Sequence, residues 1–289
     1  MPNCPNCGST NTKRNGLSIS LIAQKQRYKC MECGHRFTES DDPAEGAMPS
    51  VLVMDIETLP IVAYTWGTWD VNINKEQIIK DWAVLSWSAK WLDDPRMMSD
   101  ILTPAEIAKR DDKRIVKSLW QLFDDADVII AQNGRKFDLP KMNTRFWIYR
   151  MPRPSSYKII DTLDCAKRAF SMTYNSLDYL GEYLGLGRKL KTDFQLWIDC
   201  DNGDKDALAR MREYNENDVT LLEEVYLRMR PYIPNHPSYA IYDKIVGVCP
   251  VCLDPNITEI GLYTANVRQY PEFRCGKCGS LWHSTKYVK

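Results

Sequence analysis

Eight of the ten cysteines in the chain form four Cys-x-x-Cys pairs, and two of these pairs lie near each end. The pairs form two sets of the same spacing, because 22 residues separate the inner cysteines in both. The sets are Cys4, Cys7, Cys30 and Cys33, and Cys249, Cys252, Cys275 and Cys278. Two such turns present four thiolates and complete a tetrahedral Zn²⁺ site with no open position. The sequence therefore predicts two zinc ribbons, at residues 1–40 and 243–289, each held by one structural Zn²⁺ ion.

The surroundings of these cysteines favour zinc over disulfide bonds. The N-terminus lacks a basic segment followed by an apolar stretch, and no apolar run is long enough to cross a membrane. We therefore expect a cytoplasmic protein, in the host cytoplasm if the chain is viral, with no membrane partner. Thiols stay reduced in that compartment, and segments of about 40 residues need a staple such as zinc in order to fold.

Between the two ribbons, apolar runs alternate with helical patterns. Residues 41–49 are polar and contain Pro43 and Gly46, so we interpret them as a linker that precedes one domain at residues 50–235. Strands are predicted at about 51–57, 83–91 and 127–131, and helices at about 103–124, 138–150, 162–170, 176–185 and 204–229. Strands interleaved with helices predict an α/β fold for this central domain.

Two acidic patterns lie at the ends of predicted strands. Asp55 and Glu57 are two residues apart, so both side chains point to the same face of the first strand. Two carboxylates side by side at the end of a buried strand repel each other unless a cation lies between them. Asp138 follows a strand-to-helix turn that begins at Asn133 and Gly134. Taken alone, these patterns also fit a chance Asp-x-Glu match and an ordinary helix N-cap.

A third pattern lies on the long predicted helix near residue 215. Tyr214 and Asp218 are four residues apart and share one helical face, which also fits a simple surface pair. In their order and setting, the three patterns resemble the three motifs of the DEDD exonuclease superfamily, whose fold is ribonuclease H-like. The residue five before the last aspartate is Glu213, where the histidine subclass carries its base. The resemblance is thus to the tyrosine subclass, DEDDy.

The resemblance extends over roughly residues 50–232. Residues 160–163, 176–181 and 214–219 are similar to segments of the proofreading exonuclease domains of family B DNA polymerases and their stand-alone relatives. The first ribbon resembles the zinc ribbons of transposition proteins and other nucleic-acid-binding factors, and compact architectures of this kind are frequent in bacteriophages. The implied fold class is α/β: a ribonuclease H-like central domain, with a mixed sheet and helices, flanked by two small zinc ribbons with four cysteine ligands each.

The same resemblance implies a mechanism and its residues. Four carboxylates, Asp55, Glu57, Asp138 and Asp218, would hold two Mg²⁺ or Mn²⁺ ions, for which hard oxygen ligands are suited. Tyr214 would orient the attacking water through its hydroxyl, because a phenol with a pKa of about 10 is a poor base at neutral pH. The reaction would be 3′–5′ exonuclease hydrolysis that releases nucleoside 5′-monophosphates.

Contacts with the substrate strand are expected close to these motifs. By resemblance, Thr58 and Leu59 would touch the terminal nucleotide and Asn133 the strand, whereas turn or core roles are the alternative for all three. Lys189 and Lys191 are interpreted as part of a solvated loop, with phosphate contact as the alternative.

The substrate and the role of the ribbons stay open at the level of sequence. Single-stranded or frayed DNA is favoured, and an RNA 3′–5′ exonuclease, a structure-directed endonuclease and a catalytically silent nucleic-acid-binding adaptor are the alternatives. We expect nucleic acid as partner, DNA rather than RNA, together with replication or recombination proteins. Residues 1–40 carry six basic and two acidic side chains, so the first ribbon is expected to grip nucleic acid, with protein docking as the alternative. Its candidate contacts are Lys13, Arg14, Lys25, Arg27 and Lys29.

Overall fold

The structure is a computed structural model that describes residues 1–19, 24–38, 49–241 and 246–288. The chain divides into two compact units. One comprises Met1–Ser50, Cys165–Met172 and Tyr226–Lys289, and the other comprises Val51–Asp164 and Thr173–Val225. Both cysteine sets fall in the first unit. The domain limits expected from the sequence stay predictions, and the expected linker falls almost entirely on residues 39–48, outside the described residues.

The described strands form three main sheets and one short pair. In chain order they are β1 (Thr12–Ile19), β2 (Gln24–Cys30), β3 (Arg36–Thr38), β4 (Val51–Leu59), β5 (Val62–Ala63), β6 (Ile78–Lys80), β7 (Ala83–Trp91), β8 (Met98–Ile101), β9 (Val128–Ala131), β10 (Lys158–Asp161), β11 (Ile257–Thr264), β12 (Gln269–Cys275) and β13 (Leu281–His283). Three short 3₁₀ turns lie at Lys75–Gln77, Arg230–Tyr232 and Tyr239–Ile241.

Seven α-helices are described. They are α1 (Pro104–Lys109), α2 (Lys113–Asp125), α3 (Asp138–Ile148), α4 (Thr162–Ala169), α5 (Leu177–Tyr183), α6 (Phe194–Asp201) and α7 (Lys205–Met229). Within the described part of the chain, no helix has the length and apolarity needed to cross a membrane.

The second unit is built on a five-stranded mixed sheet with the order β10-β9-β4-β7-β8. The central strand β4 runs parallel to β9 and antiparallel to β7, while β10 continues the parallel side and β8 the antiparallel side. The first four residues of β4 are all buried, as expected for a strand that is covered on both faces. Side chains of α2, α3 and α7 join those of the sheet in one hydrophobic cluster. The predicted α/β class with a mixed sheet is confirmed.

The prediction of one continuous helix over residues 103–124 is wrong. The first helix ends where Arg110 adopts a left-handed backbone, with φ of 53°. Asp112 then turns its carboxylate inward, where it accepts a hydrogen bond from the backbone of Val84 at 2.7 Å and pairs with Arg145 at 2.7 Å. Because a buried charge needs such partners, this tertiary contact outweighs the helical pattern of the sequence and starts a second helix.

The two cysteine-rich ends have the same architecture. Each forms a three-stranded antiparallel sheet, β1-β2-β3 at the N-terminal end and β11-β12-β13 at the C-terminal end. Tyr28 lies opposite Phe37 with ring centres 5.7 Å apart, and Phe273 lies opposite Trp282 at 5.8 Å. This correspondence matches the equal spacing of the two cysteine sets in the sequence and is consistent with two zinc ribbons.

Candidate active site

Three carboxylates from two elements converge beside the central sheet. Asp55 and Glu57 occupy alternate positions of β4, and Asp218 projects from α7. One carboxylate oxygen from each of the three lies within 4.8 Å of the others. The pairing of β4 with β7 shifts register between Glu57 and Thr58, a bulge of the kind that redirects side chains beside functional sites. The strand and the long helix together therefore create a compact acidic group.

Asp138, the fourth predicted carboxylate, lies beside this group rather than within it. It is the first residue of α3 and is 1% exposed, and its Oδ1 accepts a hydrogen bond from the backbone of Ile56 at 3.2 Å. Its charge raises the pKa of both Asp55 and Glu57. The turn before it requires glycine at position 134, since a Cβ there would lie 2.5 Å from the Cβ of Ala131.

The four carboxyl groups have abnormally high pKa values. Burial, followed by repulsion from its acidic neighbours, raises the pKa of Asp55 well above its usual range. Burial likewise raises the pKa of Glu57 to about 8 and that of Asp138 to about 7, and it raises the pKa of Asp218. Such a group is unstable in its fully ionised form unless positive charge enters it.

Lys189 supplies part of that positive charge. Its Nζ lies 2.7 Å from Oδ2 of Asp218 and 4.9 Å from the centre of the Tyr214 ring. The interpretation of Lys189 as part of a solvated loop is therefore wrong, because the buried carboxylate draws the ammonium group into the site. Lys191, by contrast, is exposed as expected.

Tyr214 is 7% exposed and lies one helical turn before Asp218. Its ring packs edge-on against Trp197 of α6 at 5.9 Å. Burial, followed by the charge of Asp218, raises the pKa of Tyr214 to about 12. The phenol is thus neutral at physiological pH and can orient a water molecule but is a poor base. Trp197 also donates a hydrogen bond that lowers the pKa of Glu57, although burial dominates that group.

Asn215 fixes the orientation of Asp55. Its Nδ2 donates a hydrogen bond to Oδ2 of Asp55 at 2.7 Å, and its Oδ1 accepts one from the hydroxyl of Ser86 at 3.3 Å. Asn215 is fully buried and Ser86 nearly so. No pattern in the sequence indicated this pair or the positions of Lys189 and Trp197 in the site. The location of Asn215 inside the third motif was the one available signal.

The three predicted substrate contacts lie in different settings. Thr58 is partly exposed, whereas Leu59 is fully buried in the hydrophobic core, the alternative role left open for it. Asn133 is partly exposed and has a left-handed backbone with φ of 61°. The buried Asp161 holds this loop, because its carboxylate accepts hydrogen bonds from the backbone of Asn133 and of Arg135, each at 3.0 Å.

The donor set of the acidic group fits a divalent cation. All the converging ligand atoms are carboxylate oxygens, which Mg²⁺ and Mn²⁺ prefer, and a cation of charge two would relieve the repulsion that raises their pKa values. The sulfur ligands of the two cysteine sets suit Zn²⁺ instead.

Each cysteine set forms a compact group that could hold zinc. The Sγ distances for Cys4–Cys33, Cys7–Cys30 and Cys252–Cys275 are 3.6 Å, and that for Cys249–Cys278 is 3.7 Å. Tetrahedral zinc with bonds of about 2.3 Å separates its sulfurs by roughly 3.8 Å, whereas a disulfide requires about 2.05 Å. The backbone N–H of Val251 donates a hydrogen bond to Sγ of Cys249, and that of Cys278 donates one to Sγ of Cys275.

One predicted nucleic-acid contact of the first ribbon is contradicted. Arg27 is 7% exposed and donates a hydrogen bond to the hydroxyl of Ser50, so it is not available as an exposed phosphate contact. Lys13 and Arg14 are exposed. The side chain of Lys25 lies outside the described residues, and the role expected for Lys29 stays a prediction.

The mixed sheet and the carboxylates at its central strand define an α/β protein of the ribonuclease H-like class. Residues 52–230 match the RNase_H superfamily, and the chain belongs to that superfamily. Ribonuclease H-like nucleases use divalent metal ions, and the fold supports a nuclease, for which nucleic acid is the substrate.

Among solved structures, the family B DNA polymerase from the hyperthermophilic archaeon Pyrobaculum calidifontis is similar to the chain, with a TM-score of 0.45 and 17% sequence identity. The match covers 68% of this chain and 26% of the polymerase, so the chain spans about a quarter of the polymerase's length. No curated protein matches the chain.

Proposed function

We propose that the protein is a divalent-metal-dependent 3′–5′ exonuclease of the DEDDy kind. It hydrolyses the terminal phosphodiester bond at the 3′ end of single-stranded or frayed DNA and releases a nucleoside 5′-monophosphate. The observation that carries this proposal is the convergence of Asp55, Glu57 and Asp218, with a neutral Tyr214 one helical turn away from Asp218.

In this proposal the carboxylates hold two Mg²⁺ or Mn²⁺ ions. Asp55, Glu57 and Asp218 would hold one of them, and Asp55 would share the second with Asp138. When bound, the ions activate the attacking water and stabilise the charge that develops on the leaving 3′-oxygen. The two cysteine sets hold one structural Zn²⁺ ion each.

The chain's own side chains orient the reacting groups. The Tyr214 hydroxyl orients the water, because a pKa of about 12 keeps it protonated. Asn215 fixes one oxygen of Asp55 and thereby directs the other. Lys189 balances the charge of Asp218 and, as a cation at the edge of the site, is suited to the phosphate of the strand. The cytoplasmic location and the replication or recombination partners expected from the sequence stay predictions.

A comparison of linear and circular substrates tests the proposal against its alternatives. We expect linear single strands to be shortened with Mg²⁺ or Mn²⁺, with DNA degraded faster than RNA, and covalently closed single-stranded circles to stay intact. Cleavage of the circles would establish an endonuclease, and faster degradation of RNA would reassign the substrate. Binding of every strand without hydrolysis would establish an adaptor.

Replacing Tyr214 with phenylalanine should lower kcat by about 10- to 100-fold, because poor positioning of a reactant has effects of that size. The affinity for Mn²⁺ and the KM should stay unchanged, since the hydroxyl is not among the proposed ligands. Steady-state hydrolysis measures kcat and KM, and Mn²⁺ titration measures the affinity for the ion. Tyr149→Phe is the matched control, as it removes a tyrosine hydroxyl that donates to Asp112 outside the site. Full kcat in Tyr214→Phe would refute the role of the hydroxyl.

The stability of the metal-free protein should fall between pH 6 and pH 8. Burial raises the pKa of Glu57 to about 8 and that of Asp138 to about 7, so in this range the folded state binds more protons than the unfolded state. The free energy of unfolding therefore decreases as the pH rises. Added Mg²⁺ or Mn²⁺ should raise the unfolding temperature more at pH 8 than at pH 6, by at least about 4 °C. Thermal unfolding of Glu57→Gln should show a weaker pH dependence; an unchanged dependence would contradict the assignment.

A further inference from the structure

Three tyrosines form a continuous aromatic strip on the surface of α5 and the segment before it. Tyr174 and Tyr179 have ring centres 5.4 Å apart in an edge-on contact, and Tyr179 and Tyr183 stack at 5.7 Å. Tyr174 is 64% exposed and Tyr183 is 67% exposed. In the described part of the chain, none of the three hydroxyls has a hydrogen-bond partner. The strip thus neither fills the core nor anchors a polar network.

The strip lies between two segments that border the active site. At one end, Gln132, which precedes Asn133, donates a hydrogen bond to the backbone of Asn175 at 2.8 Å. Near the middle of the strip, Asp178 accepts a hydrogen bond from the backbone of Lys189 at 3.0 Å. The segment that carries the tyrosines is therefore hydrogen-bonded both to the residue before Asn133 and to the lysine that contacts Asp218.

Helix α5 is fixed in this position by a close backbone approach. A Cβ at Gly181 would lie 2.7 Å from the backbone oxygen of Gly187 and 2.8 Å from a methyl group of Leu221 on α7. Only glycine allows this contact, which joins α5 to the helix that carries Asp218. Tyr179 and Tyr183 consequently lie on a helix that packs directly against the helix that carries Asp218.

The acidic charges beside the strip are partly balanced. Asp178 and Glu182 lie on the same helix as the tyrosines, and Arg188 pairs with both, at 2.9 and 3.1 Å, which leaves one net negative charge in this group. Lys191 is exposed and forms no ion pair among the residues that are described. Exposed aromatic rings next to cations are the usual means of binding single-stranded nucleic acid, because bases stack on the rings while cations contact the phosphates.

We propose that Tyr174, Tyr179 and Tyr183 form a stacking track for the single strand whose 3′ end enters the active site. Bases on the 5′ side of the cleaved bond stack on the two most exposed rings, Tyr174 and Tyr183. Because about two thirds of each of these two side chains is exposed, ring surface is accessible to such a base. This inference rests on the proposed exonuclease function and adds to it the residues that hold the uncleaved part of the strand.

Substrates of different length test the track. We expect Tyr174→Ala and Tyr183→Ala each to lower kcat/KM on an oligothymidylate of about 15 nucleotides by about fivefold or more, the order of effect expected for one lost base stack. Hydrolysis of the 4-nitrophenyl ester of thymidine 5′-monophosphate, which has no upstream strand, should not change. Tyr183→Phe should keep the wild-type rate, because it keeps the ring. Trp147→Ala is the matched control, since it removes an 82% exposed aromatic side chain from α3.

Strand binding without hydrolysis separates this inference from the proposed function. With Ca²⁺ in place of Mg²⁺, fluorescence anisotropy of the labelled oligothymidylate should show weaker binding to Tyr174→Ala and Tyr183→Ala than to the wild type. If the wild type binds in this way but hydrolyses no strand, the exonuclease proposal fails and the track stands. Equal binding by variants and wild type, or an equal loss of activity on the nitrophenyl ester, would overturn the track.

Discussion

Asp55→Asn should abolish hydrolysis while leaving the metal-free protein folded and more stable at pH 8 than the wild type. Asp55 is the one carboxylate that both proposed ions share, and metal stabilisation of transition-state charge contributes several kcal/mol. Since each 1.4 kcal/mol or so corresponds to a tenfold change in rate, we expect a loss of at least about a thousandfold in kcat. Single-turnover hydrolysis of a labelled strand measures this loss.

The stability gain has a separate physical cause. Burial and three neighbouring carboxylates raise the pKa of Asp55 well above its usual range, so its ionisation at pH 8 destabilises the metal-free fold. Asparagine has nearly the same shape and no charge, and it removes this repulsion. Thermal unfolding without metal should show a higher midpoint for the variant, and added Mg²⁺ should stabilise it less than the wild type.

Asp112→Asn is the matched control for this prediction. Asp112 is fully buried but pairs with Arg145 and lies outside the acidic group. Its replacement leaves a buried cation without its partner, so we expect a loss of about 3–5 kcal/mol in stability and nearly full activity in the folded fraction. An active Asp55→Asn variant, or one that is destabilised like Asp112→Asn, would contradict the assignment of the site.

Removing one zinc ligand should have the largest effect on stability. Cys275→Ser breaks the second cysteine set, and structural zinc contributes on the order of 10 kcal/mol of apparent folding free energy to small domains. We expect the variant to hold one zinc ion per chain instead of two and to lose the folded C-terminal ribbon. Elemental analysis of the purified protein and proteolysis of residues 243–289 measure the two effects.

Cys200→Ala is the control for the zinc prediction, because Cys200 is fully buried in the core of the other unit and belongs to neither cysteine set. It should keep two zinc ions and lose only about 1 kcal/mol, as expected for a small buried group. Two zinc ions in Cys275→Ser, or fewer than two in the wild type, would contradict the double-ribbon account.

The sequence predicts the elements whose signal is local. The strands at 51–57 and 83–91 are continuous apolar runs and appear in the structure as β4 and β7. The spacing of the cysteines predicts which four cysteines come together in each of the two sets. Helix α7 was predicted at 204–229 because its apolar stripe is long. Short edge strands such as β8 and β10 carry too few residues for a clear periodicity and were missed, and helix α6 was missed as well.

In the candidate site too, some residues are predicted by local sequence patterns and others are not. Asp55, Glu57 and Asp218 could be located because each belongs to a short motif with a clear secondary-structure setting. Asn215 and Asp55 are 160 residues apart, and their hydrogen bond depends on how α7 crosses the sheet. The contacts of Lys189 and Trp197 depend on tertiary structure in the same way, so no pattern within one segment predicts them. The roles of all these side chains in catalysis are part of the proposal.

The first product released from a single strand tests the central claim most directly. A DNA strand with an isotopically heavy nucleotide at its 3′ terminus is incubated with the full chain and Mg²⁺, and the early products are identified by mass spectrometry. The account predicts the heavy nucleoside 5′-monophosphate before any other nucleotide, and none from Asp55→Asn. The account is contradicted if the heavy nucleotide first appears within a longer fragment or as a 3′-phosphate. It is also contradicted if light nucleotides are released before the heavy one.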